Sequence, residues 1–179
     1  LYPVAPVGRD AEVARFDALL AEVQRGGTYT LDKQLFPKLA GTSEQPITIK
    51  AYPGERPILD GYFGLVTDWL RFEFIEFTWS GWTSRRTEIA GSSPSDIPAI
   101  DLNLRGHNNV FIGCIFHDMR DVQWYTIGGE MHDCLSFFNG WEGPDRKHGH
   151  GYYTKNGPTG KRMVNCMSFD NFGRGIQAY

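Results

Sequence analysis

Four ten-residue segments of this chain superpose without a gap, and this repeat constrains the fold more than any other feature. The segments begin at Leu70, Val110, Glu130 and Arg162, so successive starts lie 40, 20 and 32 residues apart. A constant residue pattern at variable spacing is typical of a solenoid, in which coils stack and the connecting loops take the insertions. The aligned columns are Phe74, Cys114, Cys134 and Cys166; Ile75, Ile115, Leu135 and Met167; Phe77, His117, Phe137 and Phe169; and, at a predicted corner, Glu73, Gly113, Asp133 and Asn165.

A second set of segments, beginning at Pro98, Val122, His150 and Arg174, predicts a further strand in each coil. Side chains alternate between the two faces of a strand, so every second column points inward. The inward columns are Ile100, Trp124, Tyr152 and Ile176, followed by Leu102, Thr126, Thr154 and Ala178. The outward columns are Asp101, Tyr125, Tyr153 and Gln177, followed by Asn103, Ile127, Lys155 and Tyr179, with His150 and Arg174 one step earlier.

Composition supports one folded domain over residues 1–179. Apolar residues make up 41% of the 179-residue chain, enough for a substantial core. The net charge of −3 argues against a nucleic-acid binder, and no apolar run is long enough to span a membrane. The chain begins at Leu1 without a signal-peptide pattern, which fits either a trimmed chain or a mature exported protein.

The first part of the chain predicts an α-helix rather than a strand. Apolar residues recur at helical spacing between Asp10 and Gln24, and Gly26 and Gly27 end the run. A helix over residues 10–25 would cover the open end of a solenoid, whose coils then occupy residues 28–179.

The helix, the strand Thr28-YTL, the run from Ala40 to Gly61 and the repeated GC, DC and NC corners together resemble the right-handed parallel β-helix proteins. The resemblance implies an all-β solenoid with an N-terminal capping helix. Phe172–Tyr179 matches the start of another coil, so the C-terminal end is predicted to be uncapped. Either the chain is a fragment of a longer solenoid or another subunit contacts this last coil.

The resemblance also implies a range of activities, because this fold carries lyases, hydrolases, epimerases, phage spikes and structural proteins. The group includes polysaccharide lyases of the pectate-lyase and chondroitinase/alginate-lyase kinds, but no catalytic signature of one lyase family is present. Calcium is common in those lyases. Asp101, Asp118 and Asp121 are the nearest candidates here, and without an Asp-x-Asp-x-Asp loop no cofactor is assigned and calcium stays open.

The three cysteines share one column of the repeat. Stacked parallel strands lie about 4.8 Å apart with parallel side-chain vectors, whereas a disulfide needs converging Cβ atoms about 3.8 Å apart. We therefore expect free thiols packed as small apolar groups and no metal, since no CxxC pair exists. His132 falls in a column predicted to point inward, where a hydrogen-bonded core histidine is expected.

The outward face of the second strand set is the candidate binding surface. Aromatic rings pack against the C–H faces of a pyranose while polar groups satisfy its hydroxyls. Insertions at residues 80–97 and 140–149 are predicted to form groove walls. The predicted substrate-binding residues are Asp101, Asn103, Tyr125, Trp141, Gln177 and Tyr179.

The segment from Arg146 to Arg174 contains six Lys or Arg residues and one acidic residue, Asp170, which favours an anionic partner such as a uronate polymer. A uronate lyase needs a base, a group that neutralises the carboxylate, and an acid for the leaving oxygen. Lys155 or His150 is the candidate base, Arg174 the carboxylate partner and Tyr153 the acid. The alternatives are a solvated basic loop and a two-carboxylate glycosidase.

Two functions follow from these observations. The first is a carbohydrate-active enzyme, a lyase that cleaves an acidic polysaccharide. The second is a non-catalytic β-helix that serves as a glycan-binding, surface or assembly subunit. In both cases the resemblance implies an extracellular or cell-surface location, and the sequence contains no GxGxxG, P-loop or serine-nucleophile motif of an intracellular cofactor enzyme.

Overall fold

The computed structural model of the chain describes residues 25–36, 38–90, 92, 94, 101–144, 149–155 and 157–179. The all-β prediction is confirmed for these residues, whose regular structure consists of strands. The helix predicted over residues 10–25 lies outside the described residues, except for Arg25. The strands are β1 (Gly27–Leu35), β2 (Ile47–Lys50), β3 (Pro57–Leu65), β4 (Leu70–Glu73), β5 (Glu76–Thr78), β6 (Asp101–Leu104), β7 (Val110–Ile112), β8 (Ile115–His117), β9 (Asp121–Trp124), β10 (Glu130–His132), β11 (Leu135–Phe137), β12 (Tyr152–Thr154), β13 (Arg162–Val164), β14 (Met167–Phe169) and β15 (Ile176–Ala178).

The strand pairings among the described residues are all parallel and repeat every three strands. Sheet 1 has the order β2-β4-β7-β10-β13. Sheet 2 contains β1, the first half of β3, β5, β8, β11 and β14, and sheet 3 contains the second half of β3, β6, β9, β12 and β15. The chain thus returns to the same sheet after three strands, which gives a solenoid-like arrangement of stacked coils.

The apolar core lies inside these coils, where equivalent side chains stack from one coil to the next. Phe72 stacks on Phe111 with ring centroids 5.3 Å apart, and Phe77 stacks on Phe116 at 5.4 Å. These four rings are buried. The parallel register places identical side-chain types directly above one another, so the repeat in the sequence becomes a ladder of contacts in the core.

The predicted register is confirmed for three of the four repeat segments and wrong by one residue for the first. Val110 pairs with Arg71 rather than Leu70. Ile75, not Phe74, therefore shares the cysteine column. Phe74 instead occupies the corner, where it adopts a left-handed φ of 61°, as the corner residues of the later coils also do: Gly113 at 59°, Asp133 at 54° and Asn165 at 52°.

In the second strand set, the predicted pairing of Tyr152 with Ile176 is confirmed, whereas the first two segments are displaced from it by two residues each, in opposite directions. Leu102, Val122, Tyr152 and Ile176 form one inward column. A shift of two residues keeps each side chain on its face, whereas a shift of one reverses it. The two columns predicted to point outward therefore do so in the structure, whereas the outward prediction for His150 is wrong: His150 lies two residues before the inward Tyr152 and is buried.

In sheet 1 the alignment error is one residue, which reverses the face on which a side chain is predicted to lie. Met131 lies inside the coil, so the neighbouring His132 points outward and binds Glu130, with the His132 Nε2 to Glu130 Oε2 distance at 2.6 Å. The prediction of a core histidine at this position is wrong. The prediction of unpaired thiols is confirmed: Cys114 and Cys134 are buried, Cys166 is half-buried, and all three are free.

The two predicted insertions lie at the same corner of the coil, because each joins a strand of sheet 2 to a strand of sheet 3. Their backbones are hydrogen-bonded to each other. The amide of Thr87 donates to the carbonyl of Glu142 at 2.9 Å, and the amide of Glu142 donates to the carbonyl of Arg85 at 2.6 Å. The described parts of these segments, residues 80–90, 92 and 140–144, are hereafter called the ridge, which lies at the corner between sheets 2 and 3.

The last coil consists of β13, β14 and β15, which pair with β10, β11 and β12, respectively. Its apolar side chains include Met167 and Ile176, both more than half exposed. The predicted subunit contact at this coil stays a prediction. Within the part of the chain that the structure describes, no helix has the length and apolar character needed to cross a membrane.

Candidate functional site

Sheet 3 carries three tyrosines on its outer face in a continuous ladder. Tyr153 lies between Tyr125 and Tyr179, with ring centroids 5.6 Å from each and interplanar angles of 70° and 76°. Edge-to-face packing of this kind favours a fixed ring orientation. The register of β9, β12 and β15 produces the ladder and places it among polar side chains. We call this surface the tyrosine face; its residues are Asn103, Arg105, Gln123, Tyr125, Tyr153, Lys155, Gln177 and Tyr179.

Cationic side chains lie on both sides of the tyrosine ladder. The Lys155 Nζ lies 5.3 Å from the Tyr125 ring centroid and the Arg105 guanidinium lies 5.9 Å from the same ring. Arg174 donates to Gln177 Oε1 at 2.8 Å near the other end of the ladder. A shallow depression of about 420 Å³ beside Tyr125 is lined by Arg105, Gly106, His107, Tyr125, Ile127, Lys155 and Gly157.

The hydroxyls of Tyr125 and Tyr153 remain protonated near neutral pH. Burial, together with the neighbouring Tyr153, raises the pKa of Tyr125 above its ordinary value. Desolvation and the adjacent Tyr179 raise the pKa of Tyr153 in the same direction. Each hydroxyl can therefore donate a hydrogen bond as well as accept one.

Three predicted site residues do not reach the ligand-accessible surface. His150 is 3% exposed; its backbone amide donates to Asp121 Oδ1 at 2.8 Å, and its ring packs beneath Tyr153 with centroids 5.1 Å apart. Asp101 is 8% exposed and binds Arg120 through both carboxylate oxygens, at 2.7 and 2.6 Å. Trp141 is 7% exposed and donates its indole N–H to the carbonyl of Ser92 at 2.8 Å, so it holds the ridge together instead of forming a groove wall.

The remaining predicted residues lie together on the tyrosine face or at its edge. Asn103, Tyr125, Tyr153, Lys155, Gln177 and Tyr179 are outward, and Arg174 lies at the end of the ladder. Sequence reasoning missed Arg105 and Gln123. The pairing of Asn103 with Gln123 places both residues on this face, but the alignment had set Asn103 against Ile127, four residues away.

A second concave surface, not predicted from the sequence, lies on the outer face of sheet 2. It has a volume of about 510 Å³. We call it the tryptophan cleft. Its lining residues are Thr28, Ile58, Asp60, Glu76, Thr78, Trp79, Ser80, Trp82, Arg85, His117 and Asp118.

Charged groups form a connected network along one side of the tryptophan cleft. His117 Nδ1 lies 2.5 Å from Asp118 Oδ2, and His117 Nε2 lies 2.9 Å from Glu76 Oε1. Arg85 forms an ion pair with Asp118 and donates to the carbonyl of Phe138 at 2.6 Å. The His117 ring stacks on Phe137 with centroids 4.9 Å apart. The network therefore joins the ridge to sheet 2.

This network makes stability depend on pH through His117. Burial opposes the charge on the ring, but hydrogen bonds to Asp118 and Glu76 outweigh it and raise the pKa of His117. A raised folded-state pKa contributes stability that is complete below the unfolded value of about 6.5 and is lost as pH rises through the folded value. We expect the difference in unfolding free energy between wild type and His117→Gln to shrink as pH rises from about 6.5 through the raised pKa of His117.

Urea unfolding of both proteins over that pH range measures the difference. The neighbouring Asp118 titrates in the opposite sense and at lower pH. Burial raises its pKa, but the hydrogen bond from His117 and the charge of Arg85 bring it below its ordinary value. A difference that grows as pH rises would contradict the assigned sign for His117.

No group of three or more His, Cys, Asp or Glu side chains within the described ranges has the geometry of a metal site. The neighbouring Cys114 thiol raises the pKa of Cys134 to about 12, so this thiol is protonated at neutral pH. The three aspartates considered for calcium each contact a nitrogen donor: Asp101 contacts Arg120, Asp118 contacts Arg85 and Asp121 contacts His150.

In comparisons with known proteins, no family model matches the chain, and no curated protein or solved structure is significantly similar to it. The fold and its surfaces define a class only: an all-β, solenoid-like protein with parallel strands. The two outer surfaces, the tyrosine face and the tryptophan cleft, are the candidate functional sites.

Proposed function

We propose that this chain is a right-handed parallel β-helix protein that binds an acidic polysaccharide along the tyrosine face, outside the cell or at its surface. The supporting observation is the combination of a tyrosine ladder with flanking cations on one regular sheet. The rings would pack against the C–H faces of pyranose units, and the cations would pair with the carboxylate or sulfate groups.

The charge distribution of sheet 3 favours an anionic ligand. Arg105, Lys155 and Arg174 are exposed cations beside the ladder. The carboxylates of the same sheet are buried: Asp101 contacts Arg120, and Asp121 contacts His150. A bound polyanion would meet positive charge without a competing exposed carboxylate from these strands.

The ladder predicts a specific loss of affinity on mutation. Replacement of Tyr153 by alanine removes the ring that contacts both of its neighbours, and we expect the dissociation constant for an acidic polymer to rise about tenfold. Isothermal titration with alginate, pectate, chondroitin and heparin-type oligomers measures this effect. Tyr153→Phe keeps the ring and should retain most of the affinity.

Phe138 provides the control variant, and Lys155 tests the electrostatic contribution to binding. Phe138→Ala removes an exposed ring of sheet 2 and should leave this binding unchanged. Binding should weaken as salt is added and should weaken further in Lys155→Ala. Unaltered affinity in Tyr153→Ala and Lys155→Ala together would contradict the assignment of the ligand to this face.

The second candidate function is catalysis, a lyase reaction at the same face. Lys155 and Tyr153 are both outward and two residues apart on β12 and its extension, so one strand presents both to a ligand. The Lys155 amine would remove the proton α to the uronate carboxylate, Arg174 would neutralise that carboxylate, and the carbon–oxygen bond would break with formation of a C=C bond. The Tyr153 hydroxyl would protonate the leaving oxygen.

Burial of His150 favours Lys155 as the base and gives His150 a supporting position beneath Tyr153. Ultraviolet absorbance of the unsaturated product, followed with and without calcium, tests the reaction. A signal removed by Lys155→Ala would establish the lyase, and binding without any such signal would establish the non-catalytic alternative.

A further inference from the structure

The tryptophan cleft is physically separate from the tyrosine face. It lies on sheet 2, whereas the tyrosines lie on sheet 3, and the ridge lies at the corner between the two sheets. Its residues come from several coils: Asp60 from β3, Glu76 from β5 and His117 from β8. A ligand in this cleft would therefore make contacts independent of those on the tyrosine face.

Two indole rings form an apolar wall of the cleft. The ring centroids of Trp79 and Trp82 lie 5.4 Å apart at an angle of 59°. A methyl group added at Gly81 would lie 2.5 Å from the Trp79 indole, so the glycine allows the chain to pack closely against this ring. Trp82 is fixed by its indole N–H, which donates to the carbonyl of Asp118 at 2.5 Å, and by the Arg85 guanidinium 4.7 Å from its ring centroid.

Fixed hydrogen-bond acceptors face this wall. The Asp60 carboxylate accepts from the Ser80 amide at 2.8 Å and from the Ser80 hydroxyl at 2.5 Å, one bond to each oxygen. Glu76 Oε1 is held by His117 Nε2 at 2.9 Å. A carboxylate oxygen accepts more than one hydrogen bond, so the half-buried Glu76 keeps acceptor capacity for the hydroxyls of a ligand, whereas Asp60 is 8% exposed and is held by Ser80.

The charge of the cleft is unfavourable for an anion. Three carboxylates (Asp60, Glu76 and Asp118) line it, against at most two cations, Arg85 and His117. Asp118 is already engaged by both cations. His117 is shared between Asp118 and Glu76, so the carboxylates outnumber the cations by at least one, and a uronate would meet a net negative charge.

We propose that the tryptophan cleft binds a neutral pyranose unit of an oligosaccharide, with the rings of Trp79 and Trp82 against its C–H groups and the carboxylate of Glu76 accepting from its hydroxyls. Aromatic walls with a few placed polar groups are the usual composition of such sites. This assignment does not depend on the ligand of the tyrosine face, because no residue is shared between the two surfaces.

The test is titration calorimetry of the whole chain with neutral tetrasaccharides (cello-, manno-, xylo- and maltotetraose), accompanied by tryptophan fluorescence. We expect binding of at least one of them with a change in the indole emission. The dissociation constant should rise about tenfold or more in Trp82→Ala and severalfold in Glu76→Gln, and Trp82→Phe should restore part of the affinity. Tyr125→Ala, the matched ring deletion on the tyrosine face, should bind the neutral sugar as wild type does.

Several results would overturn the proposal. These are no binding of any neutral tetrasaccharide, binding that survives both Trp82→Ala and Glu76→Gln, or tighter binding of an acidic oligosaccharide that the same two variants abolish. If circular dichroism shows that Trp82→Ala does not fold, Trp82→Phe and Glu76→Gln decide the outcome. Failure here leaves acidic-polymer binding by the tyrosine face unaffected, since Tyr125→Ala and Tyr153→Ala report on that surface alone.

Discussion

Replacing Phe116 by alanine should lower the free energy of unfolding by about 4 kcal/mol, the midpoint of the usual cost for a fully buried phenylalanine. Phe116 is completely buried and stacks on Phe77 at 5.4 Å. It also makes edge contacts with Phe111 at 5.9 Å and with Tyr152 at 6.1 Å. The ring therefore connects all three sheets, and its removal leaves a cavity that the paired backbones cannot close.

Urea unfolding followed by circular dichroism measures this loss. Phe138→Ala is the matched control, because the Phe138 ring is 49% exposed and its removal should change stability by no more than about 0.5 kcal/mol. A loss below about 1 kcal/mol in Phe116→Ala would show that the interior is loosely packed and would argue against the stacked core.

Replacing Asn139 by alanine should cost about 3 kcal/mol, because its buried amide satisfies backbone groups at the corner between sheets 2 and 3. Its Oδ1 accepts from the Met119 amide at 3.1 Å. Its Nδ2 donates to the carbonyl of Phe116 at 3.3 Å and to Asn171 Oδ1 at 3.0 Å. Alanine leaves the buried Met119 N–H without this acceptor and the Phe116 carbonyl without this donor.

The control variant is Asn103→Ala, which removes a half-exposed asparagine from the tyrosine face. Its free energy of unfolding should differ little from that of the wild type. Equal losses in the two variants would contradict the assigned role of Asn139. A smaller loss in Asn171→Ala than in Asn139→Ala is also expected, because Asn171 is the more exposed of the two.

Alignment of the four ten-residue segments predicted their register except in the first segment, and that failure has a clear cause. The later three segments align correctly because their cysteines mark the same buried position. In the first segment, apolar residues at 72, 74, 75 and 77 allow two registers. The gapless alignment placed Phe74 in the cysteine column. A bulky residue rarely adopts positive φ, yet Phe74 does so at the corner. Its ring packs over Gly113, where an added methyl would lie 2.6 Å from the ring.

The two candidate sites differ in how far the sequence predicts them. The tyrosine face follows from strand periodicity, which survives an alignment error of an even number of residues. The tryptophan cleft depends on contacts between residues far apart in the chain, such as Arg85 with Asp118 and Asp60 with Ser80. No local pattern brings these groups together, so neither spacing nor composition could identify the cleft.

The sequence by itself determined the repeat, the free cysteines and the side of the third sheet on which the tyrosines lie, because side-chain alternation is a local property of a strand. Only the tertiary structure decided which of those residues a ligand can reach. His150, Asp101 and Trp141 are all polar or amphipathic and were predicted at the surface, but Asp121, Arg120 and the ridge cover them. Burial is set by neighbours from other coils, and those neighbours are known only once the coils are stacked.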